Sequence, residues 1–366
     1  MLDVKGWWDN LQNRQAKVVR GREIDPAKVE PPLEAKGMEA GKHYFSVTIN
    51  EMFLASSGGW GDTYDPMAVV LTEFSYAGKK VAVPFVVGPS MFDQLKVSVP
   101  NGMAITDTKV AGLTPYNGGG FAVTVVLARV RRASVARSLL TFAESLAGIF
   151  PAGVALQPHL KVAGALMDSV QTLLGMKEDV QPLAGHRWEF NPGASPWLKP
   201  GYFALINRDE NEIDHSALRV ENGRLLAGAS TGSGYRDADF ILYSVNRLDV
   251  RDDVQELPFY ELYSAAATQA ASTDEGAWDR AKAGLVTLYQ QMITSPDLTW
   301  DQARALLAEF KERLVTVHKD TQDFLTLNDG DQKADPSATA SSSLRQQPNW
   351  EEKAKALSET QDLLSL

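Results

Sequence analysis

Strand-like runs lie on both sides of an oily helical stretch, and any fold for this chain has to accommodate that interruption. From Tyr44 to Arg132, short β-rich runs (HYFSVTINEMFLA, MAVVLTEFSY, KKVAVPFVV, MAITDTKV, FAVTVVLARVRR) alternate with the turn signals SSGGWGD, AGK, PNG and PYNGGG. This cadence predicts antiparallel strands of a sandwich or barrel. Pro84 falls inside one run and moves it towards an edge or a bulge, because proline cannot donate to a sheet ladder. Strand-like runs return at HRWEF, GYFALINR, ALRVENGRLLAG and DADFILYSVNRL. Asn222-Gly223 predicts a two-residue hairpin, since a type I′ turn needs positive φ at both central positions.

Residues 133–176 break the cadence. Val135, Leu139, Phe142, Leu146 and Ile149 step at helical spacing, and Ala163, Leu166, Val170 and Leu173 repeat the rhythm. Pro151 and Pro158 lie between the two series and forbid one continuous helix. The sequence therefore predicts an α+β fold. An antiparallel β-sandwich-like core occupies 42–270, with a helical hairpin inserted at 133–176.

The flanks read as helical accessories. Residues 1–41 combine an amphipathic helix over 3–20 (Val4, Trp7, Trp8, Leu11, Val18, Val19) with a linker marked by Pro26, Pro31 and Pro32. Residues 271–328 read as a C-terminal αα-hairpin. Ser272-Thr273-Asp274-Glu275 and Thr299-Trp300-Asp301-Gln302 have capping-box spacing at its two helix starts. Residues 329–349 have almost no large apolar side chain and read as a flexible linker. Residues 350–366 regain helical spacing at Trp350, Leu357 and Leu364, which gives a tethered helix the form of a docking element.

Charge and cysteine usage narrow the chemistry. Thirty-six basic and 46 acidic side chains leave a net charge of −10, which argues against a broad nucleic-acid footprint. The absence of cysteine excludes disulfides, thiolate metal sites and cysteine nucleophiles. No apolar run reaches signal-peptide form. The longest uncharged apolar stretch, 16 residues between Glu144 and Lys161, is shorter than the ~20 a spanning helix needs. The expectation is a cytoplasmic chain with no cofactor.

Several motifs carry a chemical reading beside a structural one. Gly228-Ala229-Ser230-Thr231-Gly232 matches a nucleophile elbow, and Asp237 or Asp239 followed by His318 would complete the order of a triad. A helix should follow the serine, however, and the next run is strand-like. Asp209, Glu210, Glu212, Asp214 and His215 form an acidic loop that lacks EF-hand spacing and reads first as a solvated loop. The five histidines are scattered, so no metal site is expected. Arg129, Arg131, Arg132 and Arg137 make a basic cluster at a strand-to-helix junction.

The function these features favour is that of a non-enzymatic interaction or assembly protein, a β-rich scaffold that binds protein partners, a further copy of itself, or both. Trp350, Leu357 and Leu364 are the nominated partner-binding residues. A membrane-acting role, lipid-binding or pore-forming, is the first alternative. It rests on the apolar hairpin and on Trp7, Trp8 and Leu11, which are candidates for membrane or partner contact, with docking onto protein the preferred reading. A serine hydrolase centred on Ser230 is the second alternative.

Overall fold

The computed structural model describes residues 6–9, 17–18, 21–33, 36–55, 58–59, 62–94, 103–132, 134–148, 155–190, 198–228 and 234–330. Its fold is α+β, with antiparallel sheets packed against each other and a helical region towards the C-terminus. Two compact units divide the chain, residues 1–318 and 319–366.

The first sheet contains β1 (Lys17–Val18), β5 (Gly58–Gly59), β6 (Asp62–Tyr76), β7 (Lys79–Val87), β9 (Phe121–Arg131) and β10 (Val180–Phe190). The second runs in the order β2 (Arg22–Glu23), β11 (Gly201–Ile206), β14 (Phe240–Leu248), β4 (Tyr44–Phe53), β8 (Met103–Pro115). A small third sheet joins β13 (Arg224–Ala227), β12 (Leu218–Glu221) and β3 (Val29–Glu30).

Aromatic rings fill the space between the first two sheets. Phe45 of β4 meets Phe74 of β6 and Phe121 of β9 edge-on, with centroids 4.9 and 5.0 Å away. Trp188 of β10 lies 4.9 Å from Phe203 of β11, which stacks on Tyr243 of β14 at 5.1 Å. Period-2 alternation along each strand aims these rings inward, and such contacts add about 0.5–1.5 kcal/mol each beyond area burial.

The interruption is accommodated as an insert. β9 and β10 pair directly from Val130↔Val180 to Phe121↔Phe190, although more than forty residues separate them in the chain. Those residues form α2 (Val135–Gly148) and α3 (Leu156–Gly175), introduced after the short α1 (Pro89–Gln94). Leu140, Ala143, Leu166, Val170 and Leu173 of the insert share one core cluster with the first sheet. The insert covers the outer face of that sheet, so Val123, Val125, Val126, Leu127 and Ala128 of β9 are all fully buried. A strand buried on both faces needs a near-continuous apolar run, and Val125–Ala128 supplies one, with Thr124 before it accepting a hydrogen bond from Arg187. His159 of α3 sits over β7, its Nε2 3.2 Å from the Pro84 carbonyl. Among the described residues β7 pairs with β6 alone, the edge position that a proline tolerates.

Glu144 ties the insert to the loop after β7. It is buried, and its carboxylate accepts the Ser90 N–H at 3.1 Å and the Met91 N–H at 3.3 Å at the start of α1. Burial pushes its pKa above the ordinary 4.5, with the Ser90 and Met91 donors and Arg137 acting in the opposite sense. A carboxylate raised in the folded state contributes stability that is full below its unfolded pKa and is lost as pH rises through its folded pKa. Wild type is expected to gain stability relative to Glu144→Gln as the pH is lowered from about 7 towards about 5. Urea midpoints at the two pH values measure this, and a gap that does not move with pH would contradict it.

The N-terminal segment departs from its sequence reading. Residues 6–9 are helical, but Lys17–Val18 is a strand, not the end of a helix over 3–20. Nor do the residues after it form a free linker. β1 pairs with β10, β2 with β11 and β3 with β12, so one short stretch supplies a two-residue strand to each of the three sheets. Open sheet edges present unpaired backbone groups, and the N-terminal stretch occupies three of them. That overrides the helical spacing read from Val18.

The Asn222-Gly223 turn has φ of 49° and 73°, as a type I′ hairpin requires, and joins β12 to β13. The third sheet is pinned to β4 by Glu51. Its buried carboxylate accepts the Leu225 N–H at 2.9 Å and Arg236 Nη1 at 3.2 Å, and burial raises its pKa.

Candidate interaction surface and the junction behind it

The strands end at Leu248, and the sequence reading of a β domain reaching residue 270 misses a helix. Tyr260–Ala270 is α4, which packs with α5 (Ala277–Thr294) and α6 (Trp300–Gly330). The αα-hairpin predicted over 271–328 is therefore two helices of a three-helix bundle. Close approach of α4 and α5 depends on small residues: a Cβ added at Gly284 would lie 3.2 Å from Ala266 Cβ. Larger rings span the gap to α6. Tyr263 stacks on Phe310 at 4.1 Å, and Trp278 stacks on His318 at 4.1 Å with 3° between planes.

The two capping signals have different outcomes. Ser272-Thr273-Asp274-Glu275 does not open a helix. Ser272 Oγ accepts the Asp274 N–H, and α5 starts two residues beyond the motif with Gly276 at φ 71° before it. Thr299 does cap α6, its Oγ1 lying 3.4 Å from Gln302 N. The reciprocal half of that box is diverted to tertiary contacts. The Gln302 amide bonds both the N–H and the carbonyl of Arg251, at 3.0 and 2.7 Å, while the Thr299 N–H donates to Tyr44 Oη at 2.7 Å.

Those bonds belong to a buried junction that fixes the bundle to the sandwich. Asp297 Oδ1 accepts Tyr76 Oη–H at 2.9 Å and the Leu156 N–H, the first of α3, at 3.3 Å. Ala155, which precedes α3, has no side-chain cap to offer, so the bundle caps the insert. Arg251, 1% exposed at its side chain, donates to the Asp297 carbonyl at 2.8 Å and to both oxygens of Asp253 at 2.6 and 2.9 Å. Burial raises the pKa of Asp297 and, above all other causes, those of Tyr76 and Tyr44. A buried phenol donating to a shielded carboxyl group is a structural arrangement. Its partner is already held, and its polar atoms face protein.

The outward side of the bundle is different. Val286 and Tyr289 on α5 and Trp300 and Val315 on α6 are each between 42% and 58% exposed. Elsewhere among the described residues, large apolar side chains exposed to this degree are Val135 and Phe142 on α2, Val250 after β14, and Phe324 in the second unit.

The residues nominated from sequence are dispersed. Trp7 and Trp8 are buried and belong to the main core cluster. Leu11, Trp350, Leu357 and Leu364 lie outside the described residues, as does Ser230. The chain around Ser230 runs from β13 to β14, so the elbow motif sits between two strands. Asp239 accepts the Ala55 N–H at 2.8 Å and Asn207 Nδ2 at 3.0 Å, while His318 lies against Trp278. In the acidic loop, Asp214 accepts from Ser216, Glu210 pairs with Arg22, and Glu212 lies 3.7 Å from Arg208. Among the described residues no three His, Asp or Glu side chains converge to hold a metal ion. Of the basic cluster, Arg132 and Arg137 both pair with the buried Asp65, and Arg129 bonds Gln181 and covers the Tyr64 ring at 4.5 Å.

Sequence reasoning did not find Asp297, Arg251, Tyr76 or Glu144. The half-formed capping box at Thr299 was the one visible trace of the junction. Comparison of the chain with family models, with curated proteins and with solved structures gives no match.

Proposed function

We propose that this chain is a non-enzymatic interaction and assembly protein, a β-rich scaffold that carries its contact surfaces on helical accessories. The observation that supports this most is the row Val286, Tyr289, Trp300 and Val315, exposed on a bundle whose inner side is held by a buried polar junction. Aromatic and aliphatic side chains held on rigid helices are the usual anchors of a protein interface. In this reading Trp350, Leu357 and Leu364 form a second, tethered contact, and the protein works in the cytoplasm. Cross-linking of the full chain in its native cells, read by mass spectrometry, tests the role. Intermolecular links concentrated on Lys282 and Lys311 are expected. A chain that yields intramolecular links alone, and sediments as a lone monomer, would contradict it.

Val135 and Phe142, 74% and 53% exposed on α2, favour a second reading, contact of the insert with a lipid surface. No helix among the described residues is long and apolar enough to cross a membrane, so that contact would be interfacial. Flotation with anionic liposomes distinguishes the two, since an interaction scaffold stays in the dense fraction.

A further inference from the structure

The exposed row on the bundle is not purely apolar. On α5, Trp278, Lys282, Val286, Tyr289 and Ile293 follow one another at intervals of four, four, three and four. On α6, Trp300, Arg304, Lys311, Val315 and His318 follow at four, seven, four and three. Each series is a single stripe along its helix. The two stripes border the same crevice, because Trp278 at the start of one stacks flat on His318 at the end of the other. A connection of five residues, 295–299, turns α5 back into α6, so the helices run antiparallel and the stripes stay side by side.

The charge within the stripes has one sign: Lys282, Arg304 and Lys311. Arg304 and Lys311 are exposed and form no ion pair among the described residues. Lys282 pairs with Asp279, and at 54% and 78% side-chain exposure that pair is weak and open to competition. Of the acidic residues nearby on α6, Glu309 is paired with Arg313, and Asp301 and Glu312 fall off the stripe by helical spacing. The chain as a whole carries −10. With a Debye length of about 8 Å at physiological salt, a ligand lying in the crevice responds chiefly to the charges that border it.

Resting on the interaction reading above, we infer that this crevice docks an acidic amphipathic helix of a partner protein, its apolar face on Val286, Tyr289, Trp300 and Val315 and its carboxylates against Lys282, Arg304 and Lys311. The 18 residues of α5 give a track about 27 Å long, which sets the length of the partner helix at four to five turns. Such a helix is recognised through apolar anchors at i, i+3, i+4 and i+7, with the flanking charges selecting the partner.

The test uses the full-length chain and a labelled 18-residue peptide with leucines at those positions and glutamates between them, read by fluorescence anisotropy. A second peptide replaces every glutamate with lysine. The glutamate peptide is expected to bind at least about tenfold more tightly than the lysine peptide, with an affinity that falls as salt is added. The double variant Arg304→Glu/Lys311→Glu, both positions being exposed and its thermal midpoint unchanged, is expected to reverse the preference. Equal binding of the two peptides, no binding of either, or a preference that survives the charge reversal would overturn the proposal. So would binding of the glutamate peptide that appears only after Leu357→Asp/Leu364→Asp, because the chain's own end would then be the occupant. Intermolecular cross-links that persist in the charge-reversed variant would sink this crevice and leave the interaction reading standing. Wild-type chain that gives no such links would remove both.

Discussion

Arg251→Ala is expected to lower the stability of the protein by about 3–5 kcal/mol, the cost of removing one partner of a buried, hydrogen-bonded charge pair. Arg251 is essentially inaccessible to water, and its guanidinium holds both oxygens of Asp253 and the Asp297 carbonyl. Alanine leaves a carboxylate only 12% exposed at its side chain without its cation, beside a second buried carboxylate at Asp297. It also leaves a cavity where the long side chain lay. Arg251→Lys restores the charge but not the forked geometry, and should recover a minor part of the loss. Denaturant titration measures both. The junction spans the sandwich, the insert and the bundle, so the alanine variant should also lose protection at the start of α3 in hydrogen exchange. A loss under about 1 kcal/mol, the range of an exposed pair, would mean that the junction is solvated.

Gly112→Ala should be of similar severity for a different reason. Gly112 lies in β8 at φ +98°, and a Cβ there would fall 2.3 Å from the Phe45 carbonyl oxygen and 2.7 Å from Ser46 Cα. Both are backbone atoms of β4, the neighbouring strand, so no rotamer change relieves the overlap. Strain from a positive φ adds about 1–2 kcal/mol, and forced separation of packed groups about 1–3 kcal/mol more. A loss of about 3 kcal/mol or greater is expected, with soluble yield falling accordingly. Gly120→Ala is the control, because a Cβ at Gly120 meets nothing within 4 Å. Equal stability of the two variants would contradict the close approach of β8 to β4.

Much of the architecture was legible because it rests on local pattern. The run VVLA of β9 is apolar at consecutive positions, as a strand covered on both faces must be, and the helical spacing of Leu166, Val170 and Leu173 marks the layer that covers it. Asn222-Gly223 was readable because two positive φ values are a requirement of the turn itself. Helix α4 was readable and missed. Tyr260, Tyr263, Ala266 and Ala270 have helical spacing, but the β domain was bounded at residue 270, beyond them.

The rest depends on partners far away in sequence. Nothing in Lys17–Val18 says that the edge of β10 is open, and the pairing of three sheets by one short stretch follows only once the sheets exist. Asp297 is one of 46 acidic residues, and its partner Tyr76 lies 221 positions away. The bundle surface was legible only in part. Spacing marked its helices, yet which stripe faces outward was settled by the rings of Tyr263, Phe310, Trp278 and His318 meeting across the bundle.

The central claim is that strands on either side of the helical insert lie side by side in one sheet, leaving the helices free to serve as accessories. With no native cysteine to interfere, engineered pairs report on it directly. Arg129 and Gln181 face each other across β9 and β10, and their side chains already meet at 2.7 Å. Arg129→Cys/Gln181→Cys is predicted to form a disulfide under mild oxidation with the thermal midpoint preserved or raised, since facing residues satisfy its geometry. Two thiols that both stay reactive in folded protein, or that bridge only between chains, would contradict the account.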